Sequence, residues 1–167
     1  MQDDYVEYVS ARVPALRKLA FTLTGDGHRA DDLVQQTITT LYVKWSRARK
    51  AENLDGYVRT MLVRSFVDER RLAWAKVRLF REAPEPPPFE PDGAVEDREV
   101  LRAALKRVPR RQRAVLVLRF FYDLPVEEVA TILGCTGGTV KSNTSRGLAT
   151  LRTLLDERSL VGRSTTK

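Results

Sequence analysis

The sequence predicts an all-α protein built as two small helical domains joined by a proline-rich acidic linker. Three observations carry that prediction. Apolar residues recur at i, i+3, i+4 and i+7 along most of the chain, and no segment alternates convincingly as a strand would. Pro84, Pro86, Pro87, Pro88 and Pro91 crowd residues 82–97, where neither an interior helix nor a central strand can continue. Charge divides about the same span. Residues 1–81 carry 15 Lys and Arg against 10 Asp and Glu, residues 82–97 carry six acids and no base, and residues 98–167 carry 14 bases against six acids. Domains are therefore expected at 1–81 and 98–158, with a linker at 82–97 and a flexible polar tail at 159–167.

Composition narrows the function. A chain of 167 residues that is 43% hydrophobic and 31% charged sustains one ordinary domain or two small ones with packed cores. The formal charge of +7 asks for a polyanionic partner, nucleic acid or an anionic membrane surface. The single cysteine, Cys135, excludes an internal disulfide and a multi-cysteine zinc site, and the single histidine, His28, leaves little for nucleophilic catalysis. No cofactor or metal is expected. No stretch reaches the ~18 apolar residues of a spanning helix, and the acidic start lacks a signal core, so a cytoplasmic protein without membrane insertion is expected.

In the N-terminal lobe the clearest element holds Ala30, Leu33, Val34, Thr37, Ile38, Leu41, Tyr42 and Trp45 on one stripe. Asp26 or Gly27 stands where an N-cap belongs, and Asp31 and Asp32 are expected in the first turn. The opposite face shows Asp31, Asp32, Gln35, Gln36 and Thr39, which by themselves read as a solvated surface.

After a turn at Ala51, Glu52 and Asn53, a second helix is expected from Leu54 to about Phe80. At about 100° per residue, Arg59, Arg64, Arg70, Arg71, Arg78 and Arg81 fall on one side. Val58, Met61, Leu62, Ser65, Phe66 and Leu72 fall on the other. A row of like charges repels itself unless phosphates neutralise it, so a nucleic-acid backbone track competes with a solvated face and with a membrane-surface helix.

In the C-terminal lobe Pro109 separates two expected helices, 95–108 and 110–122. A short helix over 126–133 ends at Gly134, and a longer one runs from about Gly138 to Leu155. The spacing Ala130, Gly134, Val140 is the informative part. A small residue permits close crossing, glycine permits a left-handed turn, and a β-branched residue locks the second helix on the first. That pattern fits a helix-turn-helix, against the alternative of an unrelated helical hairpin. The second helix would place Thr139, Lys141, Ser142, Asn143, Ser145 and Arg146 toward base edges. Arg110, Arg111 and Arg113 either hold phosphates or serve solubility.

These motifs resemble a known family. Gly25-Asp26, followed by Ala30-Asp31-Asp32-Leu33-Val34-Gln35-Gln36-Thr37, resembles region 2 of bacterial RNA polymerase sigma factors, and Asp68-Glu69-Arg70-Arg71 resembles its continuation. Val108-Pro109-Arg110-Arg111-Gln112-Arg113-Ala114-Val115-Leu116 and Gly138-Thr139-Val140-Lys141-Ser142 resemble region 4. With both regions and a short linker, the chain is similar to the extracytoplasmic function class, and Val140 to Leu148 resembles its actinobacterial SigE-like subfamily. The likeness spans about residues 10–155.

The resemblance implies a transcription-initiation subunit with no enzymatic activity. Asp31, Asp32, Leu33, Gln35, Gln36 and Thr39 would then dock on the clamp helices of the polymerase β′ subunit. Asn53, Arg59, Arg64, Arg70 and Arg71 would capture the promoter −10 element as an unstacked strand. The helix-turn-helix would read the −35 element as duplex, and the apolar surface of region 4 would hold the β flap. The acidic linker would thread toward the polymerase active centre, and an anti-sigma factor is a further partner. Ser65, Tyr57 and Asn143 depart from commoner family residues and bear on promoter preference. The competing function is a stand-alone helix-turn-helix regulator, which has no use for a second basic lobe. A nucleic-acid-processing enzyme would need Asp31 and Asp32 as metal ligands, but neighbouring helical residues point about 100° apart.

Overall fold

The computed structural model describes residues 2–69 and 94–164, all helices, turns and loops, with no strand among the described residues. The chain divides into two compact units between residues 84 and 85.

The first unit contains α1 (Gln2–Thr24), α2 (Gly27–Val43), the single turn α3 (Trp45–Ala48) and α4 (Leu54–Asp68). Helix α1 packs on α2 and α4, and α2 packs on α4. Its contribution to the core is Leu16, Leu19, Ala20 and Leu23, a heptad-like stripe in a helix that also contains Pro14. Helix α2 adds Ala30, Leu33, Val34, Thr37 and Leu41, and α4 adds Val58, Leu62, Val63 and Phe66. Each fully buried leucine or phenylalanine contributes about 1.5–3 kcal/mol. The buried Thr37 hydroxyl donates to the Leu33 carbonyl at 2.8 Å, so it adds no unsatisfied polar group.

Gly25 ends α1 at φ 65°, a left-handed conformation that glycine adopts without a steric cost. Asp26 is the N-cap of α2, its carboxylate accepting from the backbone N–H of His28 at 2.9 Å and Arg29 at 3.2 Å. Because the helix begins at Gly27, Asp31 and Asp32 sit in its second turn, one turn beyond the position expected from sequence.

Helix α4 ends at Asp68, with Glu69 as its C-cap, so it is shorter among the described residues than the expected 54–80 element. Arg70, Arg71, Arg78, Arg81 and linker residues 82–93 lie outside the described residues.

The second unit contains α5 (Ala94–Arg107), α6 (Arg110–Leu116) continuing into a π-helical turn (Val117–Phe121), α7 (Val126–Leu133) and α8 (Gly137–Ser164). Helices α5, α6 and α7 all pack on α8. Leu105, Val108 and Leu116 form a core cluster on which Leu101, Leu151 and Leu154 pack.

Two boundaries differ from the sequence expectation. Residues 94–97, placed in the linker by charge, open α5, in keeping with the helix expected over 95–108; Glu96 and Asp97 stand in its first turn, where the helix dipole favours acids. Residues 159–164, assigned to a flexible tail, continue α8, with the Ser159 hydroxyl donating to the Leu155 carbonyl at 3.1 Å.

Candidate functional site

The helix-turn-helix is set by local chemistry. Helix α7 ends in a left-handed glycine, Gly134, at φ 64°. The N–H of Cys135 donates to the Ala130 carbonyl at 3.0 Å, and that of Gly134 donates to the Thr131 carbonyl at 3.3 Å. This is the paired hydrogen-bond pattern of a Schellman C-cap. Thr136 then starts α8, its hydroxyl accepting from the Thr139 N–H at 3.2 Å. Val129, Ala130 and Ile132 of α7 and Val140 of α8 are buried, and the two helices pack on each other. All three positions of the Ala130, Gly134, Val140 pattern thus have the steric roles their spacing implies.

The six expected base-edge residues divide into two rows. Thr139, Ser142, Asn143 and Arg146 follow i, i+3, i+4 and i+7 and share one stripe; Lys141 and Ser145 form a second row on the other flank. All are exposed except the half-buried Asn143. The Thr139 hydroxyl is 3.0 Å from that of Thr136, so it serves the turn as well as the surface.

Behind these rows sits a residue with no local signal in the sequence. Gly147 is buried, and a Cβ there would meet Leu116 at 3.1 Å and Gln112 Cβ at 3.4 Å. Only a glycine lets α6 approach α8 this closely without displacing Leu116.

Arg113 departs from its expected surface role. It is 8% exposed, and its guanidinium donates to the Val108 carbonyl from Nη2 at 2.9 Å and to the Lys106 carbonyl. It therefore satisfies the end of α5 across the Pro109 break instead of meeting phosphate. Phe120 and Phe121 in the π-helical turn are more than half exposed and give this unit an apolar surface.

In the first unit Asp32, Gln36 and Thr39 recur at i, i+4 and i+7 on α2, flanked by Gln35 and Asp31. All are exposed except the half-buried Gln36. Asp31 forms an ion pair with Arg17 at 2.8 Å. Leu33 is fully buried and so cannot touch a partner; its place among the docking residues is corrected to a core role. Val43 occupies i+11 from Asp32 on the same stripe and is 77% exposed, an apolar end to a polar face. Its signal in the sequence was the continuation of the 32, 36, 39 spacing by one more turn.

Asn53 is the N-cap of α4, its Oδ1 accepting from the Gly56 N–H at 2.9 Å. The exposed residue therefore sits at a fixed corner between α3 and α4. Arg64 is exposed and Arg59 half-buried, while Val63, between them in sequence, is fully buried. The arginine side of α4 is accordingly narrower than the helical projection suggests.

No helix among the described residues is long and apolar enough to cross a membrane. Among the described residues no cluster of His, Cys, Asp and Glu could hold a metal ion.

Comparison with known proteins places these features in a family. Residues 8–76 match the family model for sigma-70 region 2, and residues 98–151 match that for sigma-70 region 4. The chain is 36% identical to an RNA polymerase sigma-E factor of Streptomyces coelicolor, over 96% of this chain and 91% of that protein. It is 31% identical to the ECF RNA polymerase sigma factor EcfG of Rhodopseudomonas palustris, over 93% and 87%. Among solved structures it is similar to the sigma factor RpoE of Bartonella quintana in complex with the anti-sigma factor NepR, with a TM-score of 0.70, 28% identity and coverage of 92% and 97%. With regions 2 and 4 in order and this likeness along most of its length, the chain belongs to the extracytoplasmic function class of RNA polymerase sigma factors.

Proposed function

We propose that this sigma factor docks on the β′ clamp helices of core RNA polymerase through Asp31, Asp32, Gln35, Gln36, Thr39 and Val43. Asn53, Arg59 and Arg64, joined by Arg70 and Arg71, then capture the unstacked −10 strand. Base unstacking costs a few kcal/mol, so reading and melting occur as one event. Thr139, Lys141, Ser142, Asn143, Ser145 and Arg146 read the −35 duplex in the major groove, and Phe120 and Phe121 offer the β flap its apolar contact. The chain acts as an initiation subunit, without an enzymatic activity of its own, in the cytoplasm where polymerase works. An anti-sigma factor belongs to this reading because the Bartonella relative is held in a complex with one.

The observation that carries the proposal is the pairing, in one chain, of a base-reading stripe on α8 with a separate polar docking stripe on α2. A stand-alone regulator needs only the first. Footprinting tests the assignment: core polymerase with this chain should protect both promoter elements and open the −10 segment to single-strand probes. Equal protection of the −35 duplex by the chain alone, with no opening when core is added, would support the stand-alone regulator instead.

A further inference from the structure

One face of α1 holds the turn around Asn53 from both ends. Asp4, Tyr5, Tyr8 and Arg12 recur at i, i+1, i+4 and i+8 and so share one side of the helix. On the upstream side of the turn, the rings of Tyr5 and Tyr8 meet Trp45 of α3 at centroid distances of 5.5 and 5.7 Å. Asp4 reaches Arg49 at 3.7 Å. On the downstream side, the Tyr8 hydroxyl donates to Asp55 Oδ1 at 2.8 Å, and Arg12 Nη2 pairs with Asp55 Oδ2 at 2.7 Å. Both oxygens of a carboxylate two residues past Asn53 are thus held by a helix remote in sequence.

Tyr5 is itself fixed, donating from its hydroxyl to the Ile38 carbonyl of α2 at 2.6 Å. Burial, and next the hydrogen bond to Asp55, push the Tyr8 hydroxyl above its ordinary ionisation range.

Stability alone is a weak account of this arrangement. Arg12 and Asp55 are both about half exposed, and such pairs contribute roughly 0–1 kcal/mol. Placement is the stronger account, because recognition geometry must hold to about 0.5 Å and rigid elements achieve this better than a free loop.

We propose that Tyr8 and Arg12 are positioning residues that, by holding Asp55, fix the Asn53 turn and set base discrimination at the −10 element. The inference rests on the −10 role proposed above. Loosening the brace leaves the chemistry of Asn53 intact and blurs the register at which it meets an unstacked base. The −35 readers lie in the other unit and are untouched.

The test uses the full chain assembled with core polymerase and two promoter pools, one randomised at −10 and one at −35. Tyr8→Phe removes one hydroxyl and Arg12→Gln removes one charge. Each should lower the preference for the best over the next-best −10 bases by about three- to tenfold. The −35 preference and the thermal midpoint should stay at wild-type values. Asp55→Asn should reproduce the loss, and adding Tyr8→Phe to it should change little further. Unchanged −10 preference in both single variants overturns the proposal. So does a parallel fall in both preferences with a lowered midpoint, which marks a folding effect. If the wild-type chain shows no preference in the −10 pool while −35 selection is intact, the underlying −10 assignment fails instead, and this inference falls with it.

Discussion

The Arg113 guanidinium donates to the Val108 carbonyl at 2.9 Å, so a residue of α6 caps the helix that precedes it. Pro109 interrupts the chain between them, leaving the last carbonyls of α5 without continuing helical N–H donors. The planar fork of arginine meets two of these carbonyls at once, a geometry an ammonium group reproduces poorly.

Arg113→Met keeps the aliphatic stem and removes the fork. It should lower the stability of the second unit by about 1–3 kcal/mol, the cost of orphaned buried acceptors. Thermal or urea unfolding checks this. Wild-type stability combined with reduced DNA binding would return Arg113 to the phosphate-contacting surface.

Arg146→Ala should behave oppositely. The side chain is exposed on the proposed reading stripe, so stability should hold while discrimination at one −35 base pair falls by about 1–3 kcal/mol. Competition binding of assembled holoenzyme to duplexes with single substitutions measures it. Core association should remain at the wild-type level.

Asp32→Lys and Val43→Glu each alter an exposed position on the α2 stripe without touching the core. Each should weaken association with core polymerase by about fivefold or more, corresponding to roughly 1 kcal/mol, with affinity for naked DNA unchanged by Val43→Glu. Asp31 is a poorer probe because its reversal also breaks the pair with Arg17. Fluorescence titration of labelled chain with core gives the numbers, and undiminished association would remove the stripe from the docking face.

Gly147→Val should cost about 1–3 kcal/mol, because its branched side chain is driven into Leu116. The leucine stands only 3.1 Å from where any Cβ at this position must lie. Circular dichroism melting provides the readout. A variant as stable as wild type would mean that α6 and α8 can separate freely.

Much of the second unit was legible in sequence because its key signals are local. The turn at Gly134 needs a small residue, a left-handed glycine and a β-branched residue within eleven positions, and all three appear in order. The polar stripe from Asp32 to Thr39 was equally visible as periodicity. Roles fixed by distant chain were not. Arg113 sits among Arg110 and Arg111 and looks like surface charge until α5 is placed beside it. Gly147 lies inside a long helix, where nothing local marks the approach of Leu116. No separate element was expected over the first 25 residues, where only Leu16, Leu19, Ala20 and Leu23 keep a helical apolar period and the exposed Arg12 and Pro14 precede it. The packing of α1 on α2 and α4 makes that stretch a buried face. Leu33 erred in the other direction: the family motif groups it with its polar neighbours, while the helical period turns it inward.

Run-off transcription tests the central claim most directly. Core polymerase, this chain and a template carrying matched −10 and −35 elements should yield a transcript with a single start site. That transcript should vanish without the chain and weaken steeply with added salt as phosphate contacts are lost. Tight duplex binding by the chain alone, with no start-specific transcript from any promoter pool when core is supplied, would contradict the account.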